Sequence, residues 1–138
     1  MKQLFILLLL SFTLTACSEK KTNDALESYR YWTGTRYWAG TNPPSDLNLI
    51  EGKYWQSYHW TKEYIVYLKF TATKTWWDDV MELNNFSEDN GEWTIPNDAP
   101  VWFKPSEDSI RYRSNLSRNS RYFRDELTGI CYIYEIQL

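Results

Sequence analysis

The sequence has few of the residues on which metal, phosphate and acyl-transfer sites depend. Its 138 residues include one histidine, His59, and five glycines. Zinc sites use several histidine, cysteine or carboxylate ligands, so a single histidine argues against one. Neither a glycine-rich phosphate loop nor a Gly-x-Ser-x-Gly elbow occurs in the sequence. We therefore expect no cofactor, no bound metal and no enzymatic activity.

The chain also has no apolar run long enough to cross a bilayer as a helix. Such a helix needs about 20 apolar residues, whereas the apolar run at residues 4–14 is shorter and contains Ser11 and Thr13. Lys2 precedes this run, and the polar residues 18–21 follow it closely. A short positive start followed by such a run is typical of a secretory signal peptide.

The residues that follow the apolar run indicate which kind of signal peptide this is. Leu14, Thr15 and Ala16 stand directly before Cys17. An aliphatic residue and two small residues before a cysteine resemble the lipobox of bacterial lipoproteins, a resemblance that covers residues 1–17. It implies cleavage after Ala16 and lipid attachment at Cys17, and two or more acyl chains anchor a protein stably to a membrane. The alternative is an ordinary secretory signal with a chance cysteine.

The same resemblance implies a location in the cell envelope. In a Gram-negative cell, the residue after the acylated cysteine is Ser18 rather than the aspartate that marks inner-membrane retention. That implies the outer membrane, on its periplasmic or its surface side. In a Gram-positive cell the same signal implies an anchor on the plasma membrane.

Charge and cysteine content narrow the choice of partners. Without residues 1–16 the chain keeps 14 basic and 18 acidic residues, a net charge of −4. This argues against nucleic-acid binding, which depends on basic side chains that neutralise phosphates. With Cys17 modified, Cys131 has no intramolecular disulfide partner, and we expect it to be a small core residue.

The sequence divides into a signal peptide (1–16), a lipidated tether (17–46) and a folded domain (47–138). The tether contains a tandem hexapeptide, because residues 30–35 and 36–41 differ at one position, Thr33 against Ala39. If this segment is extended, its even period places Trp32 and Trp38 on one face. The glycines are equally compatible with turns.

Side-chain periodicity in residues 47–138 predicts strands and one helix. Residues 63–73 alternate as in a half-buried strand, and residues 75–84 have helical spacing with Thr75 as the expected N-cap. Residues 53–60, 109–113, 121–125 and 130–138 read as further strands, the last apolar on both faces and therefore central. We predict a small α+β domain with a mostly antiparallel sheet and one short helix packed on a face.

The abundance of aromatic residues predicts a binding surface. The chain beyond residue 16 has 23 aromatic residues among 122, and a small domain buries only about 60–65% of its surface. Some rings should therefore be exposed to sugars, peptides or another protein, unless aromatics simply fill the core and the strands. The candidate binding residues are Trp32, Trp38, Trp55, Trp60 and Trp102.

Charge is also segregated along the chain. Residues 76–108 contain nine acids and one base, whereas residues 109–124 contain five arginines and no acid. If Arg111, Arg113 and Arg121 share a sheet face, they form a candidate site for an anionic group. The alternative is that these arginines pair with the acidic segment of the same domain or are solvated.

These observations favour a membrane-anchored envelope lipoprotein that acts as a non-catalytic binding module for a protein or glycan partner. One alternative is an envelope hydrolase on glycan or peptide, which would use His59 or the carboxylates Asp78, Asp79 and Glu82. Helix capping and solvation explain those carboxylates more simply. Another alternative is a structural subunit of an envelope complex.

Overall fold

The computed structural model describes residues 18–34 and 42–138, which form one sheet with two helices. The helices are α1 (Ala25–Gly34) and α2 (Lys74–Leu83). The strands are β1 (Lys20–Thr22), β2 (Leu47–Gln56), β3 (Tyr64–Ala72), β4 (Ser87–Glu88), β5 (Ile110–Arg113), β6 (Arg121–Arg124) and β7 (Ile130–Gln137).

The seven strands form one antiparallel sheet in the order β1-β2-β3-β7-β6-β5-β4. The predicted α+β class with a mostly antiparallel sheet is therefore confirmed. Strand β7 is the fourth of the seven, the central position that its apolar residues on both faces predict. The two edge strands are short, with three residues in β1 and two in β4.

Residues 20–34 belong to the sheet and its core, which corrects the prediction of a tether that extends to residue 46. Strand β1 pairs with the end of β2, and α1 packs across β2. Gly52 allows this contact, because a Cβ atom there would lie 2.8 Å from both the Ala25 Cα and the Ser28 Cβ. The domain therefore has two helices rather than the single predicted one. The second hexapeptide copy lies outside the described residues.

Helix α2 begins at Lys74, one residue earlier than the sequence pattern indicates. Its N-cap is Thr73, whose hydroxyl accepts a hydrogen bond of 3.2 Å from the Trp76 amide. Asp78 does not cap the helix and instead pairs with Lys74 at 2.6 Å, one turn away. Thr75 has a residue type that is favoured at N-caps, but it is Thr73 that has the extended backbone of an N-cap.

Each face of the sheet has its own aromatic cluster. The face under α1 and α2 buries Tyr29, Trp32, Phe70 and Trp77 among other apolar residues. On the opposite face, residues 93–103 form an irregular covering segment that presses Phe103 onto the sheet. The rings beneath Phe103 belong to β3, β6 and β7, and the neighbouring part of the sheet at β1 and β2 is left open.

Candidate functional site: an open groove on the sheet

A groove of about 510 Å³ runs beside the covering segment, on the sheet face opposite the helices. Strands β1, β2 and β3 supply its floor, and the covering segment supplies one wall through Asp98. The lining residues are Lys21, Thr22, Asn23, Lys53, Tyr54, Trp55, Ile65, Tyr67 and Asp98.

The strand register explains why these side chains share one face. Lys21 is paired with Trp55, and Trp55 is paired with Ile65, so the three form a row across three strands. Lys53 and Tyr67 form the next row on the same face, two residues along. Because side chains alternate between the faces of a strand, residues of the intervening row point toward the helices instead.

Hydrogen bonds fix the polar groups at the covered wall of the groove. The Tyr67 hydroxyl donates to Asp98 Oδ1 at 2.9 Å, and the Lys53 ammonium donates to the Asp98 backbone oxygen at 2.9 Å. The same Lys53 nitrogen lies 5.7 Å from the centre of the Tyr67 ring. Burial, followed by the hydrogen bond to Asp98, raises the pKa of Tyr67, so this phenol stays protonated.

The polar groups on the opposite side of the groove are exposed and are paired with one another. The Trp55 indole donates to Glu19, which also pairs with Lys21 at 2.9 Å. The hydrogen bond from Lys21 and then that from Trp55 lower the pKa of Glu19. Trp55 itself is half-buried, so part of its ring remains accessible from the groove.

The groove therefore combines ring faces with fixed donors and acceptors. The accessible surfaces are those of Trp55 and Ile65, whereas Tyr67 is only 1% exposed, and the polar groups beside them are Lys53 and Asp98. Ligand sites usually have this composition, with apolar walls and a few placed polar groups that set orientation. The arrangement is suited to binding a partly apolar, partly hydroxylated molecule.

The structure places the predicted tryptophans in very different surroundings. Trp55 lies in the groove, whereas Trp32 is 0% exposed and donates a hydrogen bond to Glu135 at 3.2 Å. Trp32 is thus a core residue, and its prediction as a surface binding residue is wrong. Trp60 is 94% exposed at the tip of the β2–β3 hairpin, and Trp102 packs edge-on against Phe103. Trp38 and Cys17 lie outside the described residues.

The predicted arginine cluster is divided by the structure. Asp89 Oδ2 lies 3.1 Å from Arg111 Nε and 2.6 Å from Arg121 Nε, so both arginines bind an internal carboxylate. Arg113 is exposed and lies beside Arg118 at the end of β5. Pairing within the domain, the alternative weighed from sequence, therefore describes Arg111 and Arg121, whereas Arg113 lies outside this pairing.

Asp89 remains ionised in this setting. Burial opposes its ionisation, but the hydrogen bond from the Gly91 amide and the charges of Arg121 and Arg111 outweigh burial and lower the pKa of Asp89. The cluster ties β5 and β6 to the start of the segment that follows β4.

The residues named for the hydrolase alternative are not gathered in the groove. His59 stacks on Tyr58 with ring centres 4.3 Å apart at the hairpin tip, and Asp78 pairs with Lys74 on α2. In residues 18–34 and 42–138, no group of three or more histidine, cysteine or acidic side chains is placed to hold a metal. Within those same ranges, no helix is long and apolar enough to cross a membrane.

Sequence reasoning missed Lys21, Lys53, Tyr67 and Asp98 as groove residues. Lys53 and Tyr67 carry a usable signal, since they fall on the same face as Trp55 once β2 and β3 are paired. Lys21 falls in the segment that the sequence predicts to be a tether. Asp98 carries no local signal, because an irregular segment brings it to the groove through tertiary contacts.

Comparisons with known proteins give no relative from which a role could be transferred. No protein-family model, no curated protein and no solved structure matches the chain.

Proposed function

We propose that this chain is a lipid-anchored protein of the bacterial cell envelope whose domain is a non-catalytic binding module. The groove over β1, β2 and β3 is the binding site. The observation that carries the proposal is the accessible Trp55 ring beside Lys53 and Asp98 in an open space of about 510 Å³. The lipobox-like residues 14–17 support the anchor.

A glycan is the ligand class that fits this groove. Sugar rings have apolar C–H faces that pack on tryptophan and tyrosine, and hydroxyl groups that both donate and accept hydrogen bonds. Trp55 supplies such a face, the Lys53 ammonium supplies donors and the Asp98 carboxylate supplies an acceptor. A purely apolar ligand would displace water from these charged groups without offering them new hydrogen bonds, at a cost in affinity.

Titration with soluble glycans tests the groove. Peptidoglycan fragments and chitotetraose are added to the purified protein, and binding is followed by calorimetry and by tryptophan fluorescence. W55A should weaken binding by about tenfold, equal to about 1.4 kcal/mol, because it removes the stacking face.

The matched control is W60A, since Trp60 is the most exposed tryptophan described and lies at the hairpin tip outside the groove lining. W60A should bind both probes with the affinity of the unaltered protein. Failure of the unaltered protein to bind either probe, or equal affinity in W55A, would contradict the assignment.

A further inference from the structure

Several chain segments meet at one end of the sheet, which we call the hairpin end. The register pairs Lys20 with Gln56, Gln56 with Tyr64 and Tyr64 with Gln137. The start of β1, the β2–β3 hairpin tip (residues 57–63) and the end of β7 therefore lie side by side. The β5–β6 loop (residues 114–120) joins them, because the Ser120 hydroxyl accepts a hydrogen bond from the Ile136 amide at 3.1 Å.

The hairpin end has a cluster of exposed apolar side chains. Trp60 is 94% exposed, Leu116 is 98% exposed and Tyr58 is 55% exposed. The tip is a closed loop rather than a frayed end, since Ser57 N donates to the Glu63 oxygen at 2.8 Å and Lys62 N donates to the His59 oxygen at 3.1 Å. Single exposed apolar residues are ordinary, but a group of them at one end marks an interaction surface.

The same end is positively charged although the whole chain is negative. Its exposed basic residues are Lys20, Lys21, Lys62, Arg113 and Arg118. The acids beside them are the exposed Glu19, the half-exposed Glu63 and the buried Glu135, and Glu19 is already paired with Lys21. The formal charge of the complete sequence is −3, so positive charge is concentrated at this end. Basic side chains next to exposed tryptophan and tyrosine suit the headgroup region of an anionic bilayer.

The position of Cys17 in the chain points to the same end. Cys17 precedes Lys20 by three residues, which span at most about 11 Å. Lys20 itself begins β1 opposite Gln56, the last residue of β2. Acyl chains on Cys17 would therefore leave the domain beside the hairpin tip.

From the exposed rings, the basic residues and the place of Cys17, we propose that the hairpin end docks on an anionic phospholipid bilayer with Trp60 in the interfacial region. This inference rests on the lipid anchor of the proposed function and adds an orientation to it. The strands then stand away from the membrane, and the groove opens on the flank of the domain close to the bilayer. A glycan bound there would lie next to the membrane surface.

A fluorescent probe at position 60 tests the orientation in the complete, lipidated protein. W60C is labelled with an environment-sensitive thiol dye and reconstituted into vesicles of phosphatidylglycerol and phosphatidylcholine that contain spin-labelled lipid. Labelling is selective because Cys131 is 0% exposed and burial raises the pKa of its thiol to about 12. The matched control is L127C, since Leu127 is 93% exposed in the β6–β7 turn at the opposite end of the sheet.

Spin-labelled lipid should quench the dye at position 60 severalfold more than the dye at position 127. Replacing phosphatidylglycerol by phosphatidylcholine, or adding K62Q and R118Q, should reduce quenching at position 60. Equal quenching at the two positions in protein that sediments with the vesicles would overturn the docking and leave the anchor intact. Protein that does not sediment with the vesicles would overturn the anchor and the docking together.

Discussion

A single carboxylate joins two neighbouring strands through charged groups that have little access to water. Asp89 is 7% exposed and Arg121 is 8% exposed, and Arg111 reaches the same carboxylate from β5. Charges taken out of water are stable only when every partner is present. The group is therefore a structural link, and removing one member leaves the others unpaired.

The D89N variant tests this link. The variant should lower the free energy of unfolding by about 3 kcal/mol at pH 7, because Arg121 and Arg111 lose their counterion. Urea denaturation followed by fluorescence measures the change. E88Q is the control, since Glu88 is an exposed neighbour and its replacement should change stability by less than about 0.5 kcal/mol. Equal stabilities for the two variants would contradict the structural link.

The same carboxylate predicts a pH dependence. The pKa of Asp89 is lower in the folded protein than its usual value of 3.8. Its ionisation therefore stabilises the folded protein at pH values above the usual pKa, and this contribution is lost as the pH falls through the lowered pKa. The difference in stability between the unaltered protein and D89N should narrow in that acidic window and stay constant between pH 6 and about pH 8.

Helix α1 depends on a close approach to β2 that one glycine allows. G52A should destabilise the protein by about 1–3 kcal/mol, because the added methyl group would lie 2.8 Å from the backbone of Ala25 and the side chain of Ser28. Chemical denaturation measures the loss. G34A is the matched control, since no other atom of the described residues lies within 4 Å of a Cβ at Gly34. A stability of G52A equal to that of G34A would mean that α1 does not pack on β2.

The sequence predicts best those strands and helices whose own side-chain periodicity is strong. Strand β3 alternates along its whole length, and β7 is apolar on both faces, so both were found. Strand β1 has three polar or half-exposed residues. Helix α1 has a local signal only at its start, where Asp24 accepts a hydrogen bond from the Glu27 amide at 2.7 Å, and it is buried through its contacts with β2. Such elements are invisible to periodicity, because tertiary contacts determine them.

The groove was predictable in part for the same reason. Trp55 was identified by its residue type, and pairing β2 with β3 would have added Lys53 and Tyr67. The prediction of Trp32 as a binding residue is wrong. It rests on the aromatic hexapeptide around Trp32, whereas helix α1 directs the Trp32 side chain into the core. Residue type alone does not distinguish a buried indole from an accessible one.

The whole molecule has two dissimilar ends. The hairpin end has Trp60 and a surplus of basic residues. The opposite end has the exposed Leu127 and a mixture of charges, in which Glu126 pairs with Arg124 at 3.4 Å. Anionic membranes attract the first end more strongly than the second. An orientation with the hairpin end toward the bilayer is consistent with this distribution of charge.

The lipid anchor is tested on the whole protein in cells. C17S should move the protein from the membrane fraction to the soluble fraction, because no acyl chain can then be attached to the sulfur. Cell fractionation with immunodetection measures the distribution. C131A controls for the loss of a cysteine and should leave the protein with the membranes. Unchanged sedimentation of C17S would contradict lipid attachment at that position.

The short edge strands affect how copies of the protein meet one another. Proteins held on one membrane collide in two dimensions at high local density, where unpaired strand edges can join into extended sheets. Here β1 offers three residues and β4 offers two, and two of the three in β1 are lysines. A neighbouring copy finds few backbone partners and like charge at that edge. The domain can thus accumulate at a surface as separate molecules.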